Sequence, residues 1–234
     1  MFRTPFYGLA SAIGLFVSSS AYAATVMPVF TDQGIDTSGT AQDTRMFRAD
    51  LTGLGLAEIG AVTVNDSNSG FGGSSGIFSG FDLDAIFLDI DGSLLTDTDR
   101  FFASGFIFSA GTIRPGGFPP PSPSGGPTNG SSDASTVDEA FATLNDIDGL
   151  FFSTGSLTLG DGGTLTAVFD PVITVGSSLF LFAGEVSGDP GETLTGLVEV
   201  TDTPPPLPPV PLPAGLPLLL TGILGAGVVF RSKS

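Results

Sequence analysis

Gly80-Phe81-Asp82-Leu83-Asp84-Ala85-Ile86-Phe87-Leu88-Asp89-Ile90-Asp91-Gly92 is the most distinctive stretch of the chain. Glycine opens it, Asp-Gly closes it, and apolar residues fill the middle. Residues 84–90 therefore read as a strand held between turns. Outward from it the same pattern recurs. Short apolar runs stand at 25–30, 45–51, 58–64, 101–108, 149–152, 156–159, 164–169, 178–183 and 193–200, most of them divided by Gly, Asp, Asn or Ser. The 34 glycines and 18 prolines supply turns, and the 21 phenylalanines supply bulk for a core. Together they predict an all-β domain, a jelly-roll-like β-sandwich, rather than a disordered chain.

Three local features refine this expectation. Asp161-Gly162-Gly163 separates the runs 156–159 and 164–169 and predicts a short hairpin. Val137, Ala140, Phe141 and Leu144 follow helical spacing, and Thr136 with Glu139 makes a capping box. One short helix is therefore expected over 136–144. Residues 65–76 read as a loop. Residues 114–132 carry six prolines between Pro115 and Pro127 and read as a long, exposed, mobile surface excursion.

Both ends look like targeting segments. Met1-Phe2-Arg3, an apolar stretch at 8–17 and Ala21-Tyr22-Ala23 have the order of a secretory signal helix, with signal peptidase cutting after Ala23. Residues 1–23 are thus a signal peptide and 24–202 one folded domain, long enough for a proper core. The proline run of 203–209 favours polyproline II and forms a stalk. The last segment, 210–234, is Val210-Pro211-Leu212-Pro213-Ala214, then an apolar run over 215–230, then Arg231-Ser232-Lys233-Ser234. As a helix the run is about 24 Å long, a short transmembrane helix against a hydrocarbon core of roughly 30 Å. Arg231 and Lys233 form a basic stop on the cytoplasmic side, which places the acidic domain across the membrane.

What is missing excludes several chemistries. The chain has no Cys, His or Trp. Its only lysine is Lys233, and both tyrosines lie within 1–23. The folded domain has four cations, Arg45, Arg48, Arg100 and Arg114, against all 24 acidic residues, a net charge of −20. Disulfides, His-based nucleophile systems, zinc or haem sites and Schiff-base chemistry lack their residues. Nucleic acid is excluded as a partner, because phosphate binding needs clustered cations. Carboxylates, hydroxyls and backbone remain.

Side chains two apart on a strand share a face. Asp82 with Asp84, and Asp89 with Asp91, can therefore each aim two carboxylates at one point. Asp97/Asp99 and Asp146/Asp148 repeat the spacing, the latter within a second Asp-Ile-Asp-Gly. Calcium, which takes six to eight oxygens, is the one cofactor such pairs suggest, and otherwise no cofactor is expected. Against it stands the plainer role of turn carboxylates that end strands and keep the surface soluble. A carboxylate-pair hydrolase needs the two groups across a cleft, and no residue is assigned as catalytic.

The C-terminal segment resembles the PEP-CTERM class of bacterial sorting tails. The match is to its VPLPA variant, through Val210, Pro211, Leu212, Pro213 and Ala214, the apolar run and Arg231. The resemblance covers only about the last 25 residues, and one Arg and one Lys stand where an arginine cluster is usual. It implies an exosortase-type membrane protease as partner and an inner-membrane-anchored precursor with a periplasmic domain. Delivery to the cell surface or an extracellular matrix of a Gram-negative bacterium would follow. The expectation is a non-enzymatic structural or adhesive protein. The alternative is a calcium-dependent module that binds exopolysaccharide.

Overall fold

The structure, a computed structural model, describes residues 23–35, 44–70, 75–94, 98–115, 125–149, 155–186 and 197–207. Ala21, the five residues from Val210 to Ala214, Arg231, Lys233 and both expected terminal helices lie outside them, as do residues 150–152 of one expected strand. In order, the elements are β1 (Thr25–Val26), β2 (Phe30–Ile35), β3 (Thr44–Asp50), β4 (Glu58–Asn65), β5 (Asp82–Asp89), β6 (Arg100–Phe102), β7 (Gly105–Ser109), α1 (Glu139–Ala142), β8 (Leu157–Thr158), β9 (Thr164–Thr174), β10 (Phe180–Val186) and β11 (Leu197–Thr201). They form two antiparallel sheets, and the described chain is all-β apart from one four-residue helix. One sheet runs β1-β11-β4-β9-β7. The other runs β2-β3-β10-β5-β6, with β8 also on β5.

Alternation places the core between the sheets. Ile59, Val62, Val64, Leu165, Ala167, Phe169, Val198 and Val200 come from the first sheet. Phe47, Ala49, Leu83, Ile86, Leu88, Leu181 and Ala183 come from the second, and all belong to one buried cluster. Each fully buried Leu, Ile or Phe contributes about 2 kcal/mol. The stretch that begins at Gly80 is a buried strand between β10 and β6, as its apolar centre requires.

Four expectations are corrected. The runs around Asp161-Gly162-Gly163 do not form a hairpin. Leu157–Thr158 pairs with β5 in one sheet, while Thr164–Thr174 pairs with β4 and β7 in the other. Leu157, Leu159, Leu165 and Ala167 all enter the core, so the two runs face each other across it. A turn that allows positive φ at Gly160 and Gly162 serves an arch as well as a hairpin. The run 101–108 is likewise two strands in different sheets. Ser104 makes the crossing: its N–H and its hydroxyl both donate to the Val168 carbonyl, at 2.7 and 2.9 Å, and its Oγ accepts from Asp170 N at 3.0 Å.

The helix is only Glu139–Ala142. Asp138 stands at its N-cap without a side-chain cap bond. Thr136 instead donates to Asp133 Oδ2 at 3.2 Å, and Val137 bridges to Ser131, so the first turn of the expected capping box never forms. Finally, the second half of the proline-rich excursion is not exposed. Thr128, Asn129 and Ser131 are buried, and the Asn129 carbonyl accepts from Thr158 N at 3.0 Å.

Candidate functional site

The aspartates of β5 sit around an irregularity in the strand. Opposite β10, Ala183 pairs with Ile86 and Glu185 with Leu83, so two residues of β10 span three of β5. This is a β-bulge, and it turns Asp84 and Ala85 to the same side, away from the main core. The bulge frees the Ile86 N–H, which donates to the Leu144 carbonyl at 3.0 Å. Asp84 is fully buried. Its Oδ1 accepts from Gly149 N at 2.8 Å and Asp148 N at 3.3 Å, and its Oδ2 accepts a short bond from the Thr44 hydroxyl. Burial pushes its pKa up to about 7, despite three hydrogen bonds that favour the charged form. Asp84 thus joins β3, β5 and the segment 144–149.

Asp89 and Asp91 form a separate turn. Asp89 Oδ1 accepts from Asp91 N at 2.9 Å and Gly92 N at 2.7 Å, and Asp91 Oδ1 accepts from Ser93 N at 2.8 Å. Burial raises the Asp89 pKa, and the neighbouring Asp91 carboxyl raises it further. Asp84 and Asp89 are five steps apart along the strand, about 15 Å, so the two pairs do not share a centre. Asp82 is half-buried opposite Thr158. The four aspartates that suggested calcium are therefore not brought together. Among the described residues no three acidic side chains are placed to hold a metal ion. Asp97 lies outside the described residues.

The sequence marked the arginines only as scarce cations, yet Arg48, Arg100 and Arg114 each secure a loop or turn, and Arg45 secures the edge strand β2. Arg48 Nη1 donates to the Gly92 carbonyl at 3.0 Å, and its guanidinium lies 5.2 Å over the Phe180 ring. Arg100 Nη2 donates to the Leu94 carbonyl at 3.0 Å, its guanidinium 4.5 Å over Phe87. They fold residues 91–94 onto the outer side of β3, β10 and β5. There Met46, Ala85, Phe87, Ile147 and Phe182 make a second, smaller core, with Phe87 stacked on Phe182 at 5.2 Å. Arg45 pairs with Asp32, and Arg114 pairs with Asp161 at 3.2 Å. The available signal was scarcity: four cations in a strongly acidic domain must be placed where carbonyls or carboxylates need them.

A cleft of about 600 Å³ opens between β6 and the far half of β9. It is lined by Arg100, Phe101, Phe102, Phe169, Asp170, Pro171 and Ile173 among others. Its one carboxylate is Asp170, so the lining does not supply the pair that glycoside hydrolysis requires. Ala23 is exposed, and the next residue starts the fold: Ala24 N donates to Asp202 Oδ1 at 3.1 Å. Among the described residues no helix is long and apolar enough to cross a membrane. Compared with known proteins, the chain matches no family model, no curated protein and no solved structure.

Proposed function

We propose that this is an exported, non-enzymatic surface or matrix protein whose C-terminal segment is a sorting signal. Its two sheets are read as a jelly-roll-like β-sandwich. The observation that carries the proposal is the agreement of three consecutive parts at 210–234: Val210-Pro211-Leu212-Pro213-Ala214, an apolar run slightly short for a permanent span, and a basic stop at Arg231 and Lys233. Signal peptidase removes 1–23, the C-terminal helix holds the precursor in the inner membrane, and an exosortase-type protease releases the domain to the surface or matrix. The chemistry of the domain supports a structural or adhesive role, since both oxygens of Asp84, and Oδ1 of Asp89, are spent on the chain's own backbone and hydroxyls.

Mass spectrometry of secreted and membrane fractions tests this. A released product ending within 210–214 is expected. A C-terminus at Ser234 in every fraction would sink the sorting role. A calcium-dependent exopolysaccharide module finds less support. Its Asp pairs are about 15 Å apart, and Arg48 and Arg100 already bind the Gly92 and Leu94 carbonyls of the turn that follows Asp91. A melting temperature raised by millimolar calcium would revive it.

A further inference from the structure

The proline run does not leave the domain at once. Its origin is fixed, because Asp202 N donates to the Ala24 carbonyl at 3.3 Å while Asp202 Oδ1 accepts from Ala24 N and from the Thr203 hydroxyl. From there the chain crosses the outer face of the five-stranded sheet. A Cβ at Gly60 on β4 would fall 2.6 Å from Pro204 Cδ, and one at Gly105 on β7 would fall 3.1 Å from Leu207 Cδ1. Thr201, Ala61, Val168 and Gly105 are successive partners across β11, β4, β9 and β7, and so form one row of the sheet. Ala61 and Val168 are 2% and 1% exposed, yet belong to neither apolar cluster. They lie on the outer face, beneath the segment that runs from Pro204 to Leu207.

The dimensions agree. Gly60 and Gly105 are two strand spacings apart, about 9.6 Å. Pro204 and Leu207 are three residues apart, about 9.3 Å in polyproline II. Prolines also suit this position because they bring no N–H groups onto an apolar sheet face, where each would need an acceptor. Small residues at 60, 61 and 105 make the groove.

We propose that residues 203–207 are a strap, and that its docking limits how far the sorting motif reaches from the domain; the second half rests on the sorting function above. With the strap docked, three residues of chain separate Leu207 from the start of the motif, a reach of at most about 10 Å. With it released, the free tether starts at Asp202 and the reach rises to about 25 Å. Release of the strap, without unfolding of the domain, then governs access of a membrane protease to 210–214.

The test uses the full chain in its membrane. The chain has no Cys, so Val168→Cys is a unique probe of the covered face and removes volume rather than adding it. Maleimide labelling should be at least ten-fold faster when Pro204, Pro205 and Leu207 are all changed to Gly, a change outside the sheets. It should also be faster with Gly60→Val, which leaves the tail untouched. Labelling rates unchanged by the tail variant overturn the strap. In pulse-chase, both variants should release the cut product several-fold faster than wild type, and equal rates overturn the control of reach. Absence of any cut product, with labelling still strap-dependent, overturns the sorting function and the control of reach while the strap itself stands.

Discussion

The string Asp-Ile-Asp-Gly occurs at 89–92 and again at 146–149, and the two copies solve one problem in different ways. In each, the N–H groups of the second Asp and of the Gly converge on one carboxylate oxygen. At 89–92 that oxygen is Asp89 Oδ1, from the string's own first residue. At 146–149 it is Asp84 Oδ1, from a strand more than sixty residues earlier, while Asp146 Oδ1 accepts from Ile147 N. One copy is a local turn at the end of β5. The other is a docking contact on the bulge of the same strand. Even the glycines differ in purpose. Gly92 has φ +70 and lies beside Phe180. Gly149 has no left-handed backbone, but a Cβ there would sit 2.8 Å from Asp84 Cγ. Identical sequence thus gives a self-sufficient loop in one place and half of a tertiary site in the other.

The sharpest break would come from removing the two acceptors. Asp84→Ala leaves Thr44 Oγ1, Asp148 N and Gly149 N buried without a partner and should cost about 3 kcal/mol or more. Asp89→Ala removes a buried acceptor too, but the turn it caps has Ile90 and Asp91 exposed, so water can reach the freed N–H groups and the cost should be about 1–2 kcal/mol. Urea denaturation of both variants measures the difference; equal losses would mean that the two copies are energetically alike.

The next largest effect is on pH dependence. Burial raises the folded pKa of Asp84 to about 7, above its ordinary 3.8. The folded state therefore holds this proton more tightly than the unfolded one. Its contribution is fully present below about pH 4, declines as pH rises, and is lost above about pH 7, a change of a few kcal/mol. Asp84→Asn lacks this group but keeps the acceptor. Between pH 4 and 8 the wild type should lose stability relative to Asp84→Asn, measured by urea midpoints across pH. Parallel curves would contradict the assignment.

The glycines come third. Gly149→Ala forces a Cβ against the Asp84 carboxyl and should cost about 2–3 kcal/mol. Gly92→Ala meets a strained φ and a ring edge that can shift, and should cost about 1–2 kcal/mol. Asp91→Asn is the smallest change. It removes the carboxyl that helps raise the Asp89 pKa, so a carboxyl titration followed by NMR should show Asp89 moving down, with stability altered by about 0.5 kcal/mol or less.

Much of the fold was legible locally. The runs at 45–51, 58–64, 84–90 and 164–169 are strands because each is a short apolar stretch that an extended chain can bury; 84–90 is buried on both faces, with Ile86 and Leu88 in the main core and Ala85 and Phe87 in the second. The turn at 160–163 was legible too, but not its use, since an arch and a hairpin need the same glycines. β2 escaped notice because Thr31, Asp32 and Gln33 carry no apolar pattern. It is an edge strand held by β3 and by the Arg45–Asp32 ion pair. At the candidate site, aspartate pairing on one strand face was the signal. The bulge that moved Asp84 away from any shared centre had none, because it depends on what β10 and residues 144–149 place opposite.

Most strands and turns, the acidic surface, the excluded chemistries and the tripartite pattern at 210–234 are legible in the chain alone. All of these follow from residue type and spacing along one stretch of chain. Packing sets which sheet each strand joins, buries Asp84 but not Asp91, and lays residues 203–207 across the five-stranded sheet instead of letting them stand away from it. Those outcomes turn on contacts between segments far apart in the chain. The proline run fits the groove because β4 and β7 offer glycines two strand spacings apart, a distance that no local pattern contains.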